Sequence, residues 1–150
     1  MTVTDQNQCI FQMSESAAAP TVLLAGFTSD DANSISHALG NIGWISIHLT
    51  NASEIERASL SNRFDVIVVD AEKLEVYAPH FIARLRNTPG PSSSTTILAV
   101  TFFFLEGFQA QLVQSGADLV IAKPSDPKLY VVNVTRAATQ RLQAVGPKNA

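Results

Sequence analysis

Three polar residues stand where apolar, strand-like runs end. Asp70 follows V-I-V-V, Thr101 follows I-L-A-V, and Lys123, with Pro124 behind it, follows L-V-I-A. A carboxylate, a hydroxyl and an ammonium delivered by parallel strands would share the carboxyl edge of the sheet, where open α/β folds place their sites. Without a metal between them Lys123 can pair directly with Asp70, since an opposite charge within reach favours the ionised forms of both. Each residue also has a plain structural use. Asp70 can cap the turn or the next helix, Thr101 is an ordinary strand residue, Lys123 a surface one and Pro124 a loop one. Residue type alone leaves both uses of Asp70 open; the convergence of three such groups on one edge favours a site.

Composition narrows what that site can be. The chain has 150 residues, 46% of them hydrophobic, which is length enough for one domain with a real core. No apolar run is long enough to span a bilayer, so no membrane contact is expected. No basic residue precedes an apolar stretch near Met1, so no signal peptide is expected. Cys9 has no second cysteine to bond with, and a cytoplasmic location is the simplest reading. A net charge of -3, with ten scattered Lys and Arg residues, argues against direct nucleic-acid binding. His37, His48 and His80 have no ligand spacing and no Cys pair beside them, so no zinc site is expected. After the first strand, G-F-T-S-D-D at 26–31 lacks both the G-x-G-x-x-G and the Walker pattern. With no Ser-His-Asp or Cys-His set either, an enzyme is not expected.

The elements that must position these groups read as follows. Residues 1–20 are polar and Ser/Ala-rich, a tail or linker with a short apolar island at 9–13. Strands are predicted at 21–26, 44–49, 65–70, 95–101 and 118–122. The third is apolar on both faces, as befits a central parallel strand covered by helices on either side. Helices are predicted from a Ser29 N-cap to about Leu39, at 53–60, within 75–86 but beginning late because of Pro79, at 105–115 with Gly116 as its cap, and at 126–143. Residues 146–150 are expected to fray. Five strands alternating with five helices predict a doubly wound α/β domain over 21–145. Its five-stranded parallel sheet should have the flavodoxin-like order 2-1-3-4-5, with the third strand central and helices on both faces.

The segments D-V-I-V-V-D at 65–70, I-L-A-V-T at 97–101 and G-A-D-L-V-I-A-K-P at 116–124 carry a resemblance. The chain resembles the receiver domain of bacterial response regulators over residues 21 to about 143, and the intervals between the motifs fit as well. The resemblance implies that Asp70 stands at the phosphoacceptor position, that Thr101 and Lys123 hold phosphoryl oxygens, and that Lys123 joins Pro124 through a cis bond.

Departures from the pattern shape the functional expectation. The acidic pair that binds Mg²⁺ in receivers corresponds here to Gly26 and Phe27, counting back from Gly43 and Trp44. Neither offers a side-chain ligand, whereas phosphoryl transfer relies on a cation to neutralise developing charge. Asp30 and Asp31 are the nearest replacements, and as first-turn helix residues they are expected to face solvent. Val120 replaces the aromatic switch residue, the Met-Pro…Asp-Gly signature after the phosphoacceptor is absent, and Phe102 follows Thr101 where receivers prefer a small residue, so its ring could close the pocket. The chain therefore reads as a degenerate receiver that keeps the fold and works without the usual phosphorylation, needing no cofactor. The alternative is a competent phosphoacceptor at Asp70 with a rebuilt Mg²⁺ site using Asp30 or Asp31.

Four of the eight Phe residues (Phe102, Phe103, Phe104 and Phe108) lie at 102–108. Consecutive side chains cannot all face one core, so some should be exposed as a contact surface. The resemblance places the usual partner or dimer face on the fourth helix, fifth strand and fifth helix. A protein partner or a second copy is the expectation there, within a two-component or phosphorelay type of system.

Overall fold

The computed structural model describes residues 19–74, 76–102 and 105–148, with side-chain surroundings up to residue 139. The elements run β1 (Thr21–Ala25), α1 (Ser29–Gly40), β2 (Ile45–Leu49), α2 (Ala52–Ser61), β3 (Val66–Asp70), α3 (Ala78–Asn87), β4 (Thr96–Thr101), α4 (Glu106–Ser115), β5 (Leu119–Ala122) and α5 (Pro127–Lys148). The five strands form one parallel sheet in the order β2-β1-β3-β4-β5. This is the expected doubly wound architecture.

β3 is buried at every position. Its side chains alternate between two cores, because successive residues of a strand point to opposite faces. Ile67 and Val69 join Ile55, Phe81, Ile82 and Leu112 under α2, α3 and α4. Val66 and Val68 join Ile35, Leu39, Val134 and Ala137 under α1 and α5. A strand with helices on both sides has no solvent face, so the sequence pattern is continuous rather than alternating. The register sets Asp70 beside Val100 and Thr101 beside Ala122, which brings the strand ends to one edge.

Local chemistry shifts several element ends. The N-cap of α1 is Thr28, not Ser29: Thr28 is extended and its hydroxyl accepts the Asp31 N–H at 3.2 Å. Ser29 is already helical, so its own side chain cannot cap. Asn51 caps α2 by accepting the Glu54 N–H at 3.1 Å. α3 begins late, with Pro79 in its first positions, where the missing N–H costs no helix bond. Gly116 closes α4 at φ 126° and returns its N–H to the carbonyls of Leu112 and Val113. A Cβ there would lie 2.4 Å from Cγ of Arg86, so glycine serves both the turn and the close approach. α5 continues to Lys148, beyond residue 143 where its periodic pattern ends and into the segment expected to fray; helix bonds are local and do not need an apolar stripe.

Arg86 explains why α3 and the start of β4 hold together. Its Nε donates to the Gly116 carbonyl at 2.9 Å, its Nη1 to the carbonyls of Ser93 and Thr95, and its Nη2 pairs with the Asp118 carboxylate. Asp118 in turn accepts the Ile97 N–H at 2.8 Å. One guanidinium thus ties the end of α3 to the chain entering both β4 and β5.

Candidate functional site at the carboxyl edge of the sheet

Asp70 is fully buried at the end of β3. Its Oδ1 accepts the N–H groups of Glu72 and Lys73, both at 3.1 Å, which caps the turn after the strand. Its Oδ2 accepts from Nζ of Lys123 at 2.7 Å. The turn cap and the ion pair of Asp70 therefore coexist, one on each oxygen. Lys123 is positioned by its backbone, whose N–H donates to the Thr101 carbonyl at 2.9 Å. Burial works to lower the Lys123 pKa, but the hydrogen bonds and charges of Asp70 and Asp31 together outweigh it and hold the ammonium above its ordinary value.

Asp31 belongs to this cluster and does not simply face solvent. Its carboxylate lies 3.4 Å from Nζ of Lys123 and is 45% exposed. Asp30 is exposed, with no ion pair to Lys123 among the described contacts. Consecutive helical residues point about 100° apart, so only one of the two can face the edge.

Thr101 is fully buried. Its hydroxyl donates to Oε2 of Glu72, and the Phe102 N–H donates to Oε1 of the same carboxylate at 2.6 Å. Glu72 is the residue that sequence reasoning missed. It stands in A-E-K-L, a stretch noted only for lacking the receiver signature, and no pattern sets it apart from a solvated loop acid.

Two expectations are corrected at this edge. The Phe102 ring does not close the pocket: the residue is 71% exposed, while its backbone N–H donates to Glu72. It borders an open cavity of about 550 Å³ shared with Asp31, Glu72, Lys73, Lys123 and Pro124. The Lys123–Pro124 bond is trans, as no cis peptide occurs among the described residues. The trans form is the lower in energy for an X–Pro bond by about 0.5–1 kcal/mol.

Gly26 and Phe27, the positions that the resemblance assigns to the acidic pair, are taken up by packing. Gly26 has φ 90°, and a Cβ there would meet Leu74 Cα and Cδ1 at 3.1 Å. Phe27 is fully buried. Its ring meets Tyr130 edge to face at 5.9 Å, and its carbonyl accepts from Nε2 of His48 at 2.7 Å. Tyr130 lies beneath the edge; burial, with the negative Asp70 and Asp31 acting in the same direction, holds its hydroxyl well above the ordinary tyrosine pKa. Among the described residues no three His, Cys, Asp or Glu side chains are grouped as a metal site. The donors that are present are committed elsewhere, Asp70 to two N–H groups and Lys123, and Asp31 to Lys123. They do not fit the near-octahedral oxygen set that Mg²⁺ requires.

Val120 is partly buried and packs on the core beneath α2, α3 and α4. Phe108, expected among exposed residues, also packs against that core, with its ring 6.4 Å from that of Tyr77. It lies in the first turn of α4, packed toward the sheet. Phe103 and Phe104 lie outside the described residues. Of that Phe run Phe102 is exposed as expected, and apolar side chains are exposed besides at Leu105, at Val113 on α4, and at Leu129 and Val132 on α5.

No family model matches the sequence, and no curated protein matches it. Solved structures do. A chemotaxis response regulator of Vibrio cholerae superposes with a TM-score of 0.72 at 21% identity, covering 80% of this chain and 99% of that one. The chain has the receiver-domain fold. The receiver domain of a sensor histidine kinase from Pseudomonas aeruginosa, with a magnesium ion coordinated in its active-site cleft, gives 0.70 at 19% identity, covering 81% of this chain and 99% of the other. A response regulator from Burkholderia pseudomallei, with a phosphorylated aspartic acid and a calcium ion, gives 0.68 at 20% identity over 87% of this chain and 75% of the other. Asp70, Thr101 and Lys123 lie at the carboxyl edge of this fold's sheet. No described helix is long and apolar enough to cross a membrane.

Proposed function

We propose that this chain is a receiver-like signalling module of a two-component or phosphorelay type of system, acting through protein contacts without Mg²⁺-dependent phosphorylation of Asp70. It is a regulatory module rather than an enzyme, and works in the cytoplasm. The observation that carries this reading is Phe27, whose buried ring packs on Tyr130 at a position where the resemblance calls for a metal-binding acid. Gly26 beside it is closed off by Leu74. Asp70 keeps the phosphoacceptor position, with Thr101 and Lys123 at the phosphate-contact positions, but its oxygens serve as cap and counter-ion. The partner, another protein or a second copy, docks on the face of α4, β5 and α5, where Val113, Leu129 and Val132 are exposed.

One observation favours a second reading. Asp31 shares Lys123 with Asp70, so a carboxylate does stand near the phosphoacceptor position, and a rebuilt metal site would use it. Intact mass after incubation with acetyl phosphate and Mg²⁺, with Asp70→Asn alongside and Mg²⁺ calorimetry on the same sample, separates the two. No added phosphoryl mass and no Mg²⁺ heat are expected. A stable phosphoryl adduct that vanishes in Asp70→Asn would overturn the first reading, and its loss in Asp31→Asn would establish the second.

A further inference from the structure

Thr101 and Phe102 present two convergent donors at the edge, a buried hydroxyl and a backbone N–H. Both are directed at a single acceptor group, the carboxylate of Glu72, one on each oxygen. Two parallel donors to two oxygens of one planar group is the geometry of an oxyanion cradle. The ammonium of Lys123 borders the same cavity of about 550 Å³. We propose that Glu72 is a built-in ligand for this cradle: the chain's own carboxylate takes the place of an external oxyanion, and so keeps the β4 end in its liganded arrangement with no anion bound. This rests on the proposed function and supplies its regulation, a module held in one state by its own side chain.

Electrostatics favours the internal ligand over an external one. The cavity lining already includes Asp31 and Glu72, and Asp70 lies beneath it on Lys123. An incoming phosphate would meet three carboxyl groups against the two ammonium groups of Lys73 and Lys123. Glu72 is also tethered two residues from Asp70, whose Oδ1 accepts the Glu72 N–H, so its carboxylate is presented at a high effective concentration. Removing the Glu72 side chain takes this carboxylate away from both donors and removes one formal negative charge, so a tetrahedral oxyanion can take its place.

The test is a titration with inorganic phosphate at constant ionic strength, followed at the Phe102 amide by two-dimensional NMR. The variants are wild type, Glu72→Ala, Glu72→Gln and Glu72→Ala with Thr101→Val. The Phe102 amide resonance of wild type should not move. That of Glu72→Ala should move saturably, with an affinity at least about tenfold tighter than wild type, and the added Thr101→Val should abolish the gain. Glu72→Gln keeps an acceptor oxygen and should fall between; it also serves if the alanine variant is unfolded. A folded Glu72→Ala whose Phe102 amide ignores phosphate would overturn the proposal, as would wild type binding as tightly as the variant. Inorganic phosphate carries no activated phosphoryl group. The titration therefore reports on the cradle whether or not Asp70 accepts a phosphoryl group from acetyl phosphate, and the two proposals fail separately.

Discussion

Replacing Lys123 with methionine should be the most damaging single change within the Asp70–Lys123–Asp31 charge cluster. Lys123→Met keeps the apolar part of the side chain as far as Cε, in a residue whose side chain is only 16% exposed, and deletes the ammonium. Asp70, with no exposed surface, then loses a 2.7 Å charge-assisted bond and keeps only two backbone N–H groups. Breaking a buried ion pair from one side costs about 3–5 kcal/mol, because the remaining charge is left uncompensated. The two retained N–H bonds put the expected cost near the lower end, about 3 kcal/mol. With a urea m-value of about 2 kcal/mol/M, the unfolding midpoint should fall by about 1.5 M. Trp44 is the only tryptophan and packs against the core beneath α1 and α5, so its fluorescence can follow the transition.

The partner variants give the argument its asymmetry. Asp70→Asn should cost less than Lys123→Met, since the freed ammonium still has half-exposed Asp31 at 3.4 Å. The double variant Asp70→Asn with Lys123→Met should be more stable than Lys123→Met alone, because it no longer buries an unpaired carboxylate. The pH dependence follows from the raised Lys123 pKa. A cation held above its unfolded value of 10.5 contributes its full stabilisation below that value and loses it as pH rises through the folded pKa. The stability gap between wild type and Lys123→Met should therefore stay level from neutral pH to about 10 and narrow in stronger alkali. A midpoint for Lys123→Met close to wild type, or a double variant no more stable than the single, would refute the view of Lys123 as the counter-ion Asp70 depends on.

Restoring acids at the degenerate positions should damage the fold before it restores any metal binding. Gly26→Asp places a Cβ 3.1 Å from Leu74 at a φ of 90°, an expected loss of about 1–3 kcal/mol from the backbone alone. Phe27→Ala should cost about 3–5 kcal/mol, and Phe27→Asp more, since it also buries a carboxyl group against Tyr130; urea melts would measure both, and a native-like Phe27→Asp would show that the ring does not hold this part of the core. Arg86→Ala should cost about 2–4 kcal/mol through its bonds to Gly116, Ser93, Thr95 and Asp118. Arg86→Lys should recover little of that, because an ammonium cannot reproduce the planar fork. Hydrogen exchange at Ile97, whose N–H donates to Asp118, should accelerate in both Arg86 variants.

What the sequence determined by itself was everything that follows from periodicity and from strand ends. A run apolar on both faces means a covered parallel strand, and strand-helix alternation with right-handed crossovers leaves few sheet orders. Once Asp70, Thr101 and Lys123 end successive strands, a parallel sheet must bring them to one edge, where opposite charges can pair; the 2.7 Å contact itself came from the structure. These are consequences of chain direction, readable without any loop geometry. Only the tertiary structure decided where side chains in the connecting loops point, because that depends on backbone dihedrals and on competition between partners. It turned Asp31 rather than Asp30 toward Lys123. It sent the Phe102 ring outward and aimed the Phe102 N–H at Glu72. It kept the Lys123–Pro124 bond trans and drew Phe27 inward against Tyr130. Glu72 stands two residues after a strand end with no periodic or compositional mark. Its role arises only because the turn capped by Asp70 carries its carboxylate to donors at the end of another strand, 29 residues further along the chain.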